Sequence, residues 1–582
     1  MNMDTAALAA GAPLRPKEAP QNGLKGLKHW RHDLLAGFVV SLVSLPLSSG
    51  IAIASGAPPI YGIISSIIAG LVFPFVGGSF VTISGPAAGL APALMATMIA
   101  LGGAGDADHV GAGYPMLLAV IFIAGLGQVI MAKLNLARFA AVFPAAAVEG
   151  MLGAIGVLIL VKALPLFFGF LGTTHAHGFL EYVGEIPHWW AEGDRSAVFI
   201  GVLTLGIMLA ANSSFARRWS LFAKVPPHLF GVAFAVPAAM LMGLKEQDAR
   251  FLITVPENPL SGLSMPDFGG LISSPDLWWA AGVGVMTLML IDGVESLATA
   301  QAIDRIDPFK RQSIPDRLLL SMGLSNMLSS LVGGLTVIPG GVKSKTNIEA
   351  GGRTLWANFV NAFFLLVFLF LAPGLVAMLP KAALGAILVY TGWKMMHPNI
   401  VRGLATVGKE QVLVYVVTIT VTLLTDLLIG VFVGTLVKLL CVAWMRREGL
   451  ITAKTPAGPM QVLKELFTDP VSSVEELEDG AHVLRIAHPV VSFNAFRLFE
   501  RVSQERAAGH QVRIVIEPSS GLVDHTAMEG LHRVEYELEG VSVDGLQNLQ
   551  PRGKHPASVR SGSVRSGSVR SGSVRSGVEL AG

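Results

Sequence analysis

Charge is scarce in this chain, and so is cysteine. Asp, Glu, Lys and Arg make up 14% of the 582 residues, against about 25% in an ordinary soluble domain. A soluble protein of this length hides its core behind a polar shell, and this chain has too little shell for that. The single cysteine, Cys441, sits in a late apolar run without a partner, so disulfides play no part. The net charge of +2 names no partner, because the charges sit in loops, and no nucleic acid is expected. The glycine-rich segments lack the lysine pattern of a phosphate-binding loop, which argues against ATP drive. His175 and His177 form a lone His-Ala-His in a loop, without a third ligand at usable spacing. No metal centre, cofactor or catalytic site is expected, and the chain does not read as an enzyme. No signal peptide is expected either, because the leader through Arg31 is polar and basic.

What is present is apolar sequence in segments. Hydrophobic residues make up 52% of the chain, and the mean hydropathy is +0.60. Runs of roughly 17 to 25 apolar residues recur from about residue 34 to 445, each long enough to cross a bilayer as a helix. The spacing predicts spans near 33–56, 60–76, 85–101, 113–133, 144–163, 197–212 and 226–243. A second set follows near 278–300, 317–332, 341–350, 354–378, 381–395, 409–426 and 428–445. The fold class is therefore an all-α polytopic membrane protein with 14 transmembrane segments. Basic residues fall on the side of a cytoplasmic N-terminus: Lys133, Arg138, Arg217, Arg218, Lys224, Arg305, Lys310, Arg311 and Arg317 follow even-numbered spans. The opposite loops hold Arg195, Lys245, Arg250 and Lys381 and most of the loop acids. By the positive-inside rule both termini are cytoplasmic, and the expected location is the cell's inner (plasma) membrane.

Two segments echo one another. "VGGSFVTISGPAAG" (76–89) and "VGGLTVIPGGVKSK" (332–345) each run from Val-Gly-Gly through a β-prone stretch to a Gly/Pro break. They open spans three and ten. "FPAAAVEGMLGAIG" (143–156) and "LPKAALGAILVYTG" (379–392) open spans five and twelve. Both pairs are seven spans apart, and repeats of an odd number of spans insert in opposite orientations. Inverted repeats with discontinuous helices at matching places mark a secondary transporter with its site near the midplane. A broken helix survives in lipid only inside the protein or beside a water-filled cavity. Its free N–H groups and positive dipole end suit an anion. Ser84, Gly85, Pro86 and Ala87 are the candidate anion-binding residues of the first break, with Ser84 as cap and Pro86 in the first helical turn. Gly340, Gly341, Val342, Lys343 and Ser344 are those of the second. The bland alternative is that the breaks only kink buried helices.

Lys343 sits beside the second break, where a charge needs a reason. It either holds the anion or snorkels to the surface. Span eight reads "LMLIDGVESLATAQAID", and Asp292, Glu295 and Thr299 fall on one helix face. Glu295 and Thr299 are the candidate coupling-ion site, for Na⁺ or a proton. The competing reading pairs Glu295 with Lys343 structurally. Asp426 reads as a cap at a tight corner, and Glu149 as an interface residue.

At this point the sequence resembles the SulP family of anion transporters, the sulfate permeases related to animal solute carrier 26. The residues that carry the resemblance are "LPLSSGIAIASGAPPIYGIISSIIAG", "ISGPAAG", "VESLATAQAID", "GLSNMLSSLVGG", "KSKTNIEAGGRT" and "TDLLIGVFVGTLVKLL". It covers roughly 31–450 and looks nearest to bacterial bicarbonate- or sulfate-type members. It implies 7+7 inverted repeats, a core domain with spans three and ten, a gate domain with five and twelve, elevator movement and a homodimer. Lys343 stands where many relatives have Arg, and Glu295 and Thr299 match a sodium-site pattern in which the acid is typically Asp. The implied function is secondary transport of a small inorganic anion: bicarbonate, sulfate, or chloride in exchange. A nucleobase permease of the same architecture and a non-transporting sensor are the other classes.

Beyond the spans, "GAHVLRIAHPVVSF" reads as strand, turn, strand; "NAFRLFERVSQERAAGH" as a helix; "QVRIVIEP" as a strand; and "VDHTAMEGLHRVEYEL" as a turn and helix. This small α/β module resembles a STAS domain, with Asp524 and Thr526 matching its loop pattern. The expected division is a cytoplasmic tail at 1–30, the transporter domain at 31–450, the STAS-like domain at 466–550 and a disordered tail at 551–582, in which "SVRSG" occurs four times.

Overall fold

The computed structural model describes residues 19–105, 110–137, 144–172, 179–213, 216–219, 225–253, 263–309, 311–425, 427–447, 468–477, 480–491 and 494–517, with short pieces between 527 and 545. His175, His177, Asp426, Asp524, Thr526 and the SVRSG repeats lie outside the described residues.

Fourteen helices fall on the fourteen expected spans. The first seven are α1 (Trp30–Ala54), α2 (Pro59–Val76), α3 (Ala91–Ala100), α4 (Tyr114–Lys133), α5 (Ala145–Phe168), α7 (Arg195–Ala211) and α8 (Pro227–Leu241). The second seven are α9 (Trp278–Ile306), α10 (Pro315–Leu331), α11 (Gly341–Glu349), α12 (Trp356–Leu371), α13 (Lys381–Met395), α15 (Lys409–Leu424) and α16 (Leu427–Arg447). Two longer helices are additional, beside short ones at Leu244–Gln247, Phe268–Ser273 and Pro373–Val376. The acidic loop after span five contains α6 (Phe179–Glu192), which meets α7 at 115°. It buries Tyr182 and Trp189 and exposes Leu180 and Trp190, so its amphipathic pattern was hidden by the loop acids. The other is α14 (Pro398–Val407), started by His397, whose ring accepts from the Asn399 N–H. Among the described residues, five of the helices are by themselves long and apolar enough to cross a membrane, or six with the bent pair as one span.

The helices form two bodies. One packs α4 on α10 and α12 on α1 and α2; the other packs α5 on α13, α8 on α7 and α15 on α16. These are the core and gate arrangement, and α13 against α1 is a main seam between them. The inverted repeat is visible in two pairings of equivalent elements. Strands β1 (Ser84–Pro86) and β2 (Val337–Pro339) pair antiparallel, with Gly85 opposite Ile338. In the gate, Gly156 and Gly392, the last residues of the second echo, lie backbone to backbone. A Cβ on Gly156 would sit 2.7 Å from the Gly392 carbonyl oxygen, and one on Gly392 would sit 2.5 Å from that of Gly156. Small residues at such crossings let helices approach closely in a bilayer. Gly392→Val should therefore cost about 1–3 kcal/mol by overpacking, read as a lower thermal midpoint in detergent. Gly206→Val, where nothing lies within 4 Å, should leave the midpoint unchanged.

The C-terminal domain holds β3 (Val471–Glu476), β4 (Ala481–Ile486), α17 (Ala495–Ala507), β5 (Gln511–Ile516) and β6 (Val541–Asp544). The sheet order is β3-β4-β5-β6, with β3 antiparallel and the other neighbours parallel. Its own core includes Leu484, Ile486, Leu498 and Ile514. Strands β3 and β6 were not expected. The second strand expected after β4 does not form among the described residues.

Candidate functional site

The two breaks are held together by polar side chains that follow the second one. Gly340 N–H donates to the Ile83 carbonyl at 2.8 Å. Ser344 Oγ accepts from Ile83 N–H at 2.9 Å, and Asn347 Nδ2 donates to Val81 O at 2.8 Å. Asn358, in α12, accepts from Ser84 N–H at 2.9 Å and donates to Thr82 O. Ser344 and Asn347 belong to the "KSKTNIEAGGRT" element, so part of that signature is a clamp on β1. Its Arg353 and Thr354 N–H groups both donate to Asp33 at 2.7 and 3.0 Å, which ties α12 to α1.

This pairing changes the first break. Residues 84–86 are extended, so Ser84 does not cap a helix and Pro86 does not stand in a first turn. α3 starts at Ala91, with Pro92 in its opening turn and no side-chain cap. A backbone already bonded to a partner strand cannot also be helical. The second break follows expectation: Gly340 is the N-cap of α11, which begins at Gly341. Among the described residues, the N–H groups of Gly341, Val342 and Lys343 have no acceptor, as first-turn donors do.

Lys343 is 2% exposed, which removes the snorkelling alternative. Its Nζ donates to Ser48 Oγ at 2.8 Å and Ser66 Oγ at 2.9 Å, and the two hydroxyls are 2.8 Å apart. Gly62 lets α2 lie on the Ser48 carbonyl. Gly85 completes the niche, because a Cβ there would collide with Nζ. Lys343 thus reaches across the first break, under Gly85, to α1 and α2.

Glu295 does not pair with Lys343; among the described residues no ion pair joins them. Its carboxylate lies against Gly89, in the turn before α3, where a Cβ would overlap both oxygens. One of those oxygens, Oε2, is buried without a hydrogen-bond partner. Asp292 Oδ2 accepts from Gln128 at 2.6 Å and Asn326 at 2.8 Å. Asn326 Oδ1 in turn accepts from Val337 N–H of β2 at 2.6 Å. Asp292 Oδ1, Ser296 Oγ and Thr336 Oγ1 are also buried and unpartnered. Thr299 is half-buried, and its methyl lies 3.8 Å from where a Cβ on Gly341 would stand. Glu295 therefore faces the turn before α3, and Thr299 faces the start of α11.

Sequence reasoning missed Ser48, Ser66, Gln128, Asn326 and Lys162. The two serines carried a signal, as hydroxyls inside apolar runs. Lys162, on α5, is half-buried, with Nζ 3.1 Å from Met95 Sδ of α3 and 5.4 Å from the Tyr182 ring centroid. It lines a cavity of about 340 Å³ between α3, α5, α9 and α15, together with Thr97, Trp279, Thr287 and Thr422. No carboxylate is among the residues lining it.

Residues 30–418 match the sulfate permease family. The chain belongs to that family of transmembrane anion transporters. The chain is 26% identical over 410 residues to the putative sulfate transporter YvdB of Bacillus subtilis (strain 168), covering 70% of this chain and 73% of that protein. It is 24% identical over 407 residues to the bicarbonate transporter BicA of Picosynechococcus sp. (strain ATCC 27264 / PCC 7002 / PR-6), covering 70% and 69%. The overall structure of SLC26A9 superimposes with a TM-score of 0.61 at 14% identity, over 93% of this chain and 87% of that one; that likeness concerns the fold.

Proposed function

We propose that the chain is a secondary active transporter of a small inorganic anion of the bicarbonate or sulfate class, with chloride as an exchange partner. The anion sits between the breaks, on the free N–H groups that open α11 and beside the Lys343 ammonium. The core carries it past the gate by an elevator movement. Glu295 and Thr299 hold the coupling ion, Na⁺ or a proton. The observation that carries this reading is the pairing of β1 with β2. Around it, Lys343 Nζ lies against Gly85, the Glu295 carboxylate lies against Gly89, and α11 begins at Gly341, which supports a site at the breaks. Family membership supports anion transport as the class. The protein works in the inner membrane as a homodimer with cytoplasmic termini, and the C-terminal sheet domain is a STAS-like regulatory module.

The test is uptake into proteoliposomes of labelled bicarbonate, sulfate, chloride and uracil, each with and without an inward Na⁺ gradient. Saturable uptake of bicarbonate or sulfate is the expected result. Uptake of uracil alone would make the chain a nucleobase permease, and no uptake at all would leave a sensor.

The cavity beside Lys162 is the approach route in this account. A cation with no lining carboxylate raises the local anion concentration, an effect that salt screens. Lys162→Gln should raise the apparent KM several-fold and flatten its dependence on ionic strength, in initial rates taken at two salt concentrations. An unchanged KM would remove Lys162 from the route.

A further inference from the structure

Three ligand-bearing side chains meet in the C-terminal domain, and nothing in the transport reading uses them. All belong to one strand–helix–strand unit. His482 is the second residue of β4, Glu505 lies in the last turn of α17, and His510 directly precedes β5. β4 and β5 run parallel with His482 opposite Val512, so both strands start at one edge of the sheet, and the helix joining them ends there. The helix end then turns the chain back on itself. Gly509 takes φ +95°, its N–H donates to Arg506 O at 3.1 Å, and His510 N–H donates to Glu505 O at 3.1 Å. That turn brings the His510 ring to the Glu505 carboxylate.

The result is one oxygen facing two imidazole nitrogens. Glu505 Oε2 lies 2.8 Å from His482 Nδ1 and 3.0 Å from His510 Nδ1. The rings stack with centroids 3.9 Å apart and planes 21° apart. His482 Nδ1 is buried and, despite the short distance, makes no hydrogen bond. The two ring nitrogens thus crowd one carboxylate oxygen, an arrangement that a cation bound among them would satisfy. The three ligand atoms lie within 4.8 Å of one another. Tetrahedral bonds of about 2.0–2.1 Å set ligand–ligand edges near 3.3 Å, which small side-chain shifts supply. His510 is 40% exposed at its side chain, so a fourth position is open to water.

We propose that His482, Glu505 and His510 form a binding site for one first-row divalent transition cation of the zinc class. Two imidazole nitrogens and a carboxylate oxygen suit Zn²⁺ and its neighbours, whereas Mg²⁺ and Ca²⁺ take oxygen ligands. The cation joins the end of α17 to the starts of β4 and β5, so its binding stabilises the fold of that domain.

The experiment uses the full-length, untagged chain in detergent, stripped with a chelator. It is titrated with Zn²⁺ by calorimetry, and with Co²⁺ by visible absorption. The expected result is about one equivalent bound, with a visible Co²⁺ band that Zn²⁺ bleaches. His510→Ala and Glu505→Gln should each abolish the band while the chain elutes unchanged on size exclusion. A His175→Ala/His177→Ala variant should keep it. No band in the wild-type chain, or a band that survives both His510→Ala and Glu505→Gln, would overturn the proposal.

Discussion

Lys343→Met should cut anion uptake steeply and leave the protein folded. Methionine keeps most of the aliphatic stem and its packing, and removes only the charge. Ser48 and Ser66 stay satisfied, because each hydroxyl already bonds the other at 2.8 Å. Each serine loses the ammonium donor but keeps the other hydroxyl, so the fold loses little, whereas the anion loses a cation. A hydrogen bond to a charged group contributes about 1.5–3 kcal/mol, so transport should fall roughly 10- to 100-fold at subsaturating anion. Lys343→Arg should be a poor rescue. The ammonium sits in a niche lined by Gly85, Ser48 and Ser66, and a planar guanidinium is larger than the group these residues hold. Initial uptake rates over an anion series check both variants. Wild-type KM and rate in Lys343→Met would make the lysine a packing element.

The second large effect is at Glu295. Glu295→Gln keeps the shape and removes the charge. Glu295 Oε2 and Asp292 Oδ1 are buried without hydrogen-bond partners, and an uncompensated carboxylate is costly in a bilayer. A Na⁺ ion or a proton relieves that cost. The amide supplies its own donor and needs neither. Glu295→Gln should exchange anion down its gradient and lose accumulation driven by a sodium or pH gradient. Counterflow and gradient-driven uptake, measured on the same proteoliposomes, separate the two. Undiminished accumulation would make Glu295 structural.

Much of the membrane part could be read from the chain, because bilayer thickness and backbone satisfaction are strong constraints. Fourteen apolar runs became fourteen helices, and the echoing breaks became a pair of strands. What could not be read depends on partners far away in sequence. Nothing near Pro86 shows that it lies in a strand opposite Val337, which is why a helix start was expected five residues too early. Nothing near Lys343 shows that its ammonium crosses to Ser48 and Ser66, so an ion pair with Glu295 stayed a competing reading. In the loop after α5, the acids that suggested irregular chain are the solvent face of α6, and Tyr182 and Trp189 are its buried face. In the C-terminal domain β6 is four residues long, too short for alternation to stand out.

If the anion occupies the space at the two breaks, bound substrate should shield a cysteine placed at Gly341. A Cβ at Gly341 meets nothing nearer than the Thr299 methyl at 3.8 Å, so a cysteine fits there. The only native thiol, Cys441, is first replaced by serine. In that background Gly341→Cys is labelled with a small hydrophilic thiol reagent, and so is an exposed control, Gly184→Cys. Saturating bicarbonate or sulfate should slow labelling at 341 and leave labelling at 184 unchanged. Equal labelling at 341 with and without an anion that the same preparation transports would place the anion elsewhere and contradict the account.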